Sequence, residues 1–211
     1  MKLYYASGAC SLSPHIALAE AGLSYEAIAV SLADHTLADG TDYYTINPRG
    51  YVPLLELDDG QRLTQSMAII EYLDETHPQP ALLPADAAGR ARVRALSQIV
   101  ACEIHPLNNL RVLKYLVNDL KASDDAKNAW YKHWVRLGLQ SYEARLAERP
   151  GTYSHGDTPT LADCCLVPQI FNAQRFDCDL SGLPRTMAVF DACMQLDAFQ
   201  KAQPSACPDA E

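Results

Sequence analysis

Cys10 lies in the run Ser7-Gly8-Ala9-Cys10-Ser11-Leu12-Ser13-Pro14-His15, a glycine-containing turn that follows a short apolar stretch and opens a helical one. Unpaired amide donors and the positive end of a helix dipole favour thiolate over thiol at such a place. The position therefore predicts a depressed thiol pKa and a nucleophile. Ser13 and Pro14 support the helix start, because serine caps well and proline fits the first helical position. A Cys-x-x-Cys redox pair would need a second thiol where Ser13 stands, so no internal disulfide can cycle. What remains is the chemistry of one thiol, either a mixed disulfide with an external thiol or a hydrogen bond to a thiolate held by another molecule. A small buried residue in a turn is the plainer reading of the same residues, and the turn alone does not separate the two.

Four other places carry groups of chemical interest. In Asn47-Pro48-Arg49-Gly50-Tyr51-Val52-Pro53 a proline stands at the entrance to an apolar strand. A cis peptide there would bend the chain and leave the Val52 backbone free to pair with a peptide-like ligand, whereas a trans turn would do neither. Gln65-Ser66 opens a helical segment, where amides and the Ser66 hydroxyl could receive a carboxylate or act only as a cap. The segment from Ala101 to Arg111 is polar for the middle of a long helix, and Pro106 should kink it. A kink bordered by His105, Asn109 and Arg111 can line a cleft, although a single helical histidine is more often structural. Thr160-Leu161-Ala162-Asp163 has capping-box spacing and reads as structural. Arg175, further along that segment, faces either solvent or an anion. There is no Gly-x-Gly-x-x-Gly, phosphate-binding loop or His-Glu-x-x-His, and the six histidines are scattered.

The elements that must position these residues change character along the chain. Strand patterns at 2–5 and 25–31 flank a helical pattern at 13–21 that Gly22 ends, a β-α-β unit. Segments 52–57 and 61–63 flank Asp58-Asp59-Gly60, a hairpin signal, before helical spacing resumes at 66–76. Beyond this only helices are expected, at 86–120, 124–148, 161–176 and 186–196. Three prolines within residues 77–84 mark the boundary. The expectation is an α/β domain over 1–80, an all-α bundle over 81–211, and a frayed tail from Gln203.

Composition narrows the class of function. The 211 residues are 48% hydrophobic, enough for a sizeable core, and the net charge is −9. With no basic stripe, nucleic acid is not expected as a partner. The first residues show neither a signal peptide nor a membrane span, which points to a cytoplasmic protein without a membrane partner. Seven cysteines without metal-type spacing suit a reducing compartment, and adjacent Cys164 and Cys165 suit core packing.

Taken together, the N-terminal cysteine, the Val-Pro turn, the Gln-Ser helix opening and the helical second half resemble the cytosolic glutathione transferases. The resemblance implies a thioredoxin-like domain that holds glutathione, a helical domain that supplies most of the second-substrate site, and a homodimer. It implies that Val52, before a cis Pro53, pairs with the cysteinyl backbone of glutathione, and that Gln65 and Ser66 receive its γ-glutamyl end. The segments up to Leu57-Asp58-Asp59-Gly60 look like the bacterial beta class, whose cysteine matches Cys10. From Thr64 onward, Gln-Ser-Met-Ala-Ile-Ile-Glu-Tyr-Leu, Glu-Ile-His-Pro-Leu-Asn-Asn-Leu-Arg and Asp-Thr-Pro-Thr-Leu-Ala-Asp look like the zeta class, the maleylacetoacetate and maleylpyruvate isomerases. A mosaic joined near residue 64 is the expectation.

Departures from both patterns bear on mechanism. The serines and arginines that surround the zeta cysteine are replaced by Gly8, Ala9, Ser13 and His15. His35 stands near the place of a glutathione-contacting lysine of the beta class, and His105 matches a histidine of both classes. On the zeta resemblance the chain is a glutathione-dependent cis–trans isomerase. Cys10 or Ser11 then supports the thiolate of glutathione, while His105, Asn109, Arg111 and Arg175 serve a dicarboxylate substrate. The alternatives are a beta-like transferase that conjugates small electrophiles or exchanges disulfides through Cys10, and a noncatalytic glutathione-binding module.

Overall fold

The computed structural model describes residues 1–206, so Cys207 and the end of the expected frayed tail lie outside the described residues. The described residues divide into two compact units, Met1–Leu82 together with residues 194–206, and Leu83–Cys193.

The first unit is a mixed four-stranded sheet with helices, the thioredoxin-like arrangement that the resemblance implies. Its strands are β1 (Lys2–Tyr5), β2 (Glu26–Ala29), β3 (Leu54–Glu56) and β4 (Arg62–Thr64), in the order β2-β1-β3-β4. β1 runs parallel to β2 across helix α1 (Leu12–Glu20) and antiparallel to β3, and β3 pairs antiparallel with β4. Successive side chains of a strand point to opposite faces. Tyr4 accordingly joins Val30, Tyr43 and Leu54 in one apolar cluster, while its neighbours Leu3 and Tyr5 are buried on the other side of the pleat. α1 packs on α2 (Ser66–Thr76), with Ile16, Ala17 and Leu18 fully buried.

Turn chemistry explains the unit's joints. At the end of α1 the Leu23 N–H reaches Leu18 O and the Gly22 N–H reaches Ala19 O, a paired closure that places Gly22 at φ +63. In the hairpin, Gly60 takes φ +85 and its N–H bonds Leu57 O at 3.0 Å.

The last helix departs from expectation. The pattern at 186–196 forms as α8 (Pro184–Cys193), which stops short of Leu196, and a further helix that was not expected, α9 (Asp197–Lys201), packs on α1 with Phe199 and Ala202 fully buried. Residues 194–206 therefore belong to the first unit rather than to a bundle over 81–211. The first residues of the expected frayed tail form a 3₁₀ turn, Pro204–Ala206.

The second unit is helical: α3 (Ala87–Gln98), a π-helical turn (Ile99–Ile104), α4 (His105–Asn108), α5 (Leu110–Asn118), α6 (Asp124–Glu148), α7 (Leu161–Arg175) and α8. One continuous helix over 86–120 does not form. Pro106 has no N–H and its ring crowds the carbonyl four residues back, so the helix widens ahead of it. Asn109 then ends the run, with φ −71 and ψ 160, and caps α5 through the Val112 N–H at 3.2 Å. α7 is buried over most of its length and starts at the expected Thr160–Asp163 pair. Asp163 accepts the Thr160 N–H at 2.7 Å, the Thr160 hydroxyl at 2.8 Å and the Ser154 N–H at 2.9 Å. Among the described residues no helix is long and apolar enough to cross a membrane.

Candidate functional site

In the first unit Cys10, Val52 and Ser66 come together although they lie up to 56 residues apart in sequence. The Cys10 thiol points to Val52 O at 3.5 Å, and the Ser66 hydroxyl donates to Cys10 O at 3.2 Å. The Val52–Pro53 peptide is cis. Behind it, the Tyr51 carbonyl accepts the Tyr43 hydroxyl at 3.0 Å and the Asn47 amide at 2.7 Å, which pins the loop that presents Val52. Burial pushes the Tyr43 phenol up to about 12, so it stays a donor. Sequence reasoning missed Tyr43 and Asn47, whose role depends on the bend of the loop rather than on any motif.

Gln65 adopts φ +73 immediately before α2, a conformation that costs a residue with a side chain free energy and that concentrates at ligand-holding positions. Ser66 is the first residue of α2, whose leading amides have no partner within the helix. His35 packs against the loop that carries Val52, its Nδ1 2.9 Å from where a Cβ on Gly50 would stand. Its ring tilts over Tyr44 at 4.7 Å, its φ is +59, and its buried Nδ1 has no hydrogen-bond partner among the described residues.

Two expectations for the nucleophile change. Burial pushes the Cys10 thiol up to about 11, outweighing the lowering effect of the Ser66 hydroxyl. The helix begins at Leu12, and the Cys10 side chain turns to the Val52 carbonyl instead of the helix amides. Cys10 is thus a neutral thiol near pH 7. Ser11, not Ser13, occupies the cap position of α1, but its hydroxyl makes no capping bond. It is fully buried, accepting the Ala6 N–H at 3.1 Å and donating to Ala6 O at 3.2 Å. That spends the hydroxyl on holding the Cys10 turn to β1 and leaves none for a thiolate.

The raised thiol pKa has a consequence for labelling. At pH 7.5 a group titrating near 11 carries on the order of 100-fold less thiolate than an ordinary cysteine. Limited alkylation with peptide mapping is therefore expected to modify exposed Cys102 well before Cys10. Preferential labelling of Cys10 would show that the thiol is activated after all.

In the second unit, His105 begins α4 directly after the π-helical turn. Burial, and then the Arg111 guanidinium, hold its imidazole below the usual range, so it is neutral at pH 7. Arg111 is exposed on the first turn of α5, whose cap is Asn109. Arg175 is exposed at the end of α7, its guanidinium 5.9 Å from the Phe176 ring.

A family model for the glutathione S-transferase N-terminal domain matches residues 8–76. The maleylpyruvate isomerase of a Ralstonia species is 51% identical over 215 residues, covering 100% of both chains. A holo structure of a maleylpyruvate isomerase, described as a bacterial zeta-class glutathione S-transferase, superposes with a TM-score of 0.93 at 50% identity and full coverage of both chains. The chain belongs to the zeta-class glutathione S-transferases. The maleylacetoacetate isomerase of Anaeromyxobacter dehalogenans, with glutathione bound in its active site, has a TM-score of 0.88 at 41% identity, covering 100% of this chain and 97% of that one.

The end-to-end match of this zeta-class chain to a single relative bears on the expected joint. Two parents meeting near residue 64 would give different relatives on either side, yet one protein spans both at 51% identity. The beta-class front half and the mosaic find no support. The replacements at Gly8, Ala9, Ser13 and His15 are then variation within a zeta-class protein.

Proposed function

We propose that this chain is a glutathione-dependent cis–trans isomerase of maleylpyruvate or maleylacetoacetate. The full-length 51% identity to a maleylpyruvate isomerase carries the reading, and the geometry of the first unit is consistent with it. A peptide cofactor with a free carboxylate matches the donors present: the Val52 backbone beside a cis proline, the left-handed Gln65, and Ser66 at the start of α2. Bound glutathione supplies a thiolate that adds to the cis double bond and leaves after rotation about the resulting single bond, so it is regenerated. Gln65, Ser66 and the α2 amides hold its γ-glutamyl end, and Val52 holds its cysteinyl backbone.

Cys10, protonated at neutral pH, gives up its long 3.5 Å contact to Val52 O when glutathione binds and donates its S–H to the cofactor's thiolate rather than acting as the attacking group. Ser11 positions Cys10 by fixing the turn to Ala6. His105 contributes a neutral imidazole, Asn109 sets the start of α5, and Arg111 and Arg175 receive the substrate carboxylates. His35 lines the loop that carries Val52. Disulfide exchange through Cys10 loses support, because a thiol near 11 is a poor nucleophile.

The chain acts as a homodimer. No residue of α5 is buried, and Leu110 and Tyr115, with Leu120 just beyond, stand 47%, 56% and 60% exposed. Such apolar surface suits a second copy. Six free cysteines among the described residues suit a cytoplasmic location, where thiols stay reduced and glutathione is present. Light scattering at twice the chain mass and activity in the soluble cell fraction check these two points.

The deciding experiment compares maleylpyruvate, maleylacetoacetate, a chlorinated aromatic and a mixed disulfide, each with glutathione. Isomerisation that requires glutathione without consuming it is expected. Conjugation or disulfide exchange exceeding isomerisation would overturn the assignment, as would no saturable calorimetric binding at millimolar glutathione.

A further inference from the structure

His105 leaves a stretch of helix whose hydrogen bonding runs in the π rather than the α register. Its N–H reaches back five residues to Val100 O, closing the π-helical turn, and Pro106 comes next without an N–H to continue the ladder. Each residue accommodated in a π turn rotates the downstream helix by about 100° relative to an uninterrupted α-helix. The direction in which His105 projects therefore depends on where the turn is anchored.

The anchor is on α6. Ile104, fully buried, lies where a side chain on Gly138 would stand: a Cβ at that glycine would overlap the Ile104 Cγ1 and Cδ1 atoms. Glycine is disfavoured in a helix interior relative to alanine, and Gly138 lies mid-way along a 25-residue helix without a left-handed backbone. Its conformational freedom is not used, so the missing side chain is what the position supplies.

A second anchor lies two turns earlier on the same face of α6. The Trp130 indole N–H donates to Leu107 O at 2.9 Å, and the Asn108 amide donates to Tyr131 O at 3.1 Å. His105 and Pro106 are thus held between one sterically fixed point and one hydrogen-bonded point on a single rigid element.

We propose that Gly138 is a positioning residue for His105, its notch seating Ile104 and so fixing the register from which the imidazole projects. The inference rests on the assignment of His105 to the isomerase site, but its geometry is testable separately.

The test compares Gly138→Ala, Ile104→Ala and the double variant in the full chain, following the His105 imidazole resonance by NMR together with the kcat and KM of glutathione-dependent isomerisation. His105→Gln assigns the resonance. Gly138→Ala is expected to shift the His105 signal, leave exposed His133 unmoved, and lower kcat/KM at least tenfold. In the Ile104→Ala background the same glycine change is expected to add nothing, because the nearest atom then left to the new methyl is the residue 104 Cβ at an ordinary 3.6 Å. Additive effects, or a folded Gly138→Ala with an unmoved His105 signal, would overturn the proposal. If Gly138→Ala does not fold, Ile104→Val decides: loss of the Cδ1 methyl moves the His105 signal if the notch is the anchor and leaves it in place if it is not. Unchanged turnover in His105→Gln would remove His105 from the isomerase reading, while the NMR comparison would still judge the anchor.

Discussion

Replacing Asp163 with alanine is expected to lower the unfolding free energy by about 3 to 5 kcal/mol, a large share of the roughly 5 to 15 kcal/mol that holds a domain together. The carboxylate is fully buried and accepts two backbone N–H groups and one hydroxyl, from Thr160 and Ser154. Alanine would strand those donors in a site closed to water, and each unpaired one costs about 1 to 3 kcal/mol. The damage extends further, because Ser154 also bonds the buried Tyr142 hydroxyl at 2.7 Å and so ties α6 to the start of α7. Urea and thermal unfolding followed by circular dichroism measure the effect. Asp163→Asn keeps one acceptor oxygen and is expected to fall between the two. A loss below about 1 kcal/mol for the alanine variant would mean that the loop before α7 rearranges to satisfy its donors elsewhere.

The capping box is legible in the sequence because both its residues and its chemistry are local. The same is true of the Asp58-Asp59-Gly60 hairpin and of Gly22 at the end of α1, where short-range geometry demands particular residue types. Cys10 shows where such reading stops. The helix start is visible in Ser13 and Pro14, yet the sign of the thiol's shift depends on burial against Val52, more than 40 residues away. Ser11 is a second candidate hydroxyl by type, and packing against Ala6 consumes it. Pro106 announces a disturbed helix, but the form it takes is a π turn seated on Gly138, a residue with no local reason to be noticed. The break between α8 and α9 carries no glycine or proline, so apolar spacing runs through it. The beta-class reading of the front half fails for a related reason: it rested on short motifs around Cys10 and Val52, whereas the match that separates the classes runs along the whole chain.

Arg111 and Arg175 are expected to matter far more for dicarboxylate substrates than for neutral electrophiles. Both residues are exposed in the second unit, and neither is among those proposed to hold glutathione. The neutral His105 beside Arg111 adds no competing charge near pH 7, and an incoming carboxylate would supply the opposite charge. A charge-assisted hydrogen bond to a carboxylate is worth about 1.5 to 3 kcal/mol, so each Arg→Ala change should lower kcat/KM for maleylpyruvate about tenfold to a hundredfold. Turnover of a neutral chlorinated aromatic, where detectable, should change by less than about threefold on the same scale. Equal losses on both substrates would assign the arginines a structural role, and no loss on either would show that the carboxylates are held elsewhere. Arg→Lys variants separate charge from shape: lysine keeps the charge but not the planar fork. If Arg175→Lys fails as badly as Arg175→Ala while Arg111→Lys recovers activity, α7 supplies bidentate recognition of one carboxylate and α5 supplies only a positive field for the other.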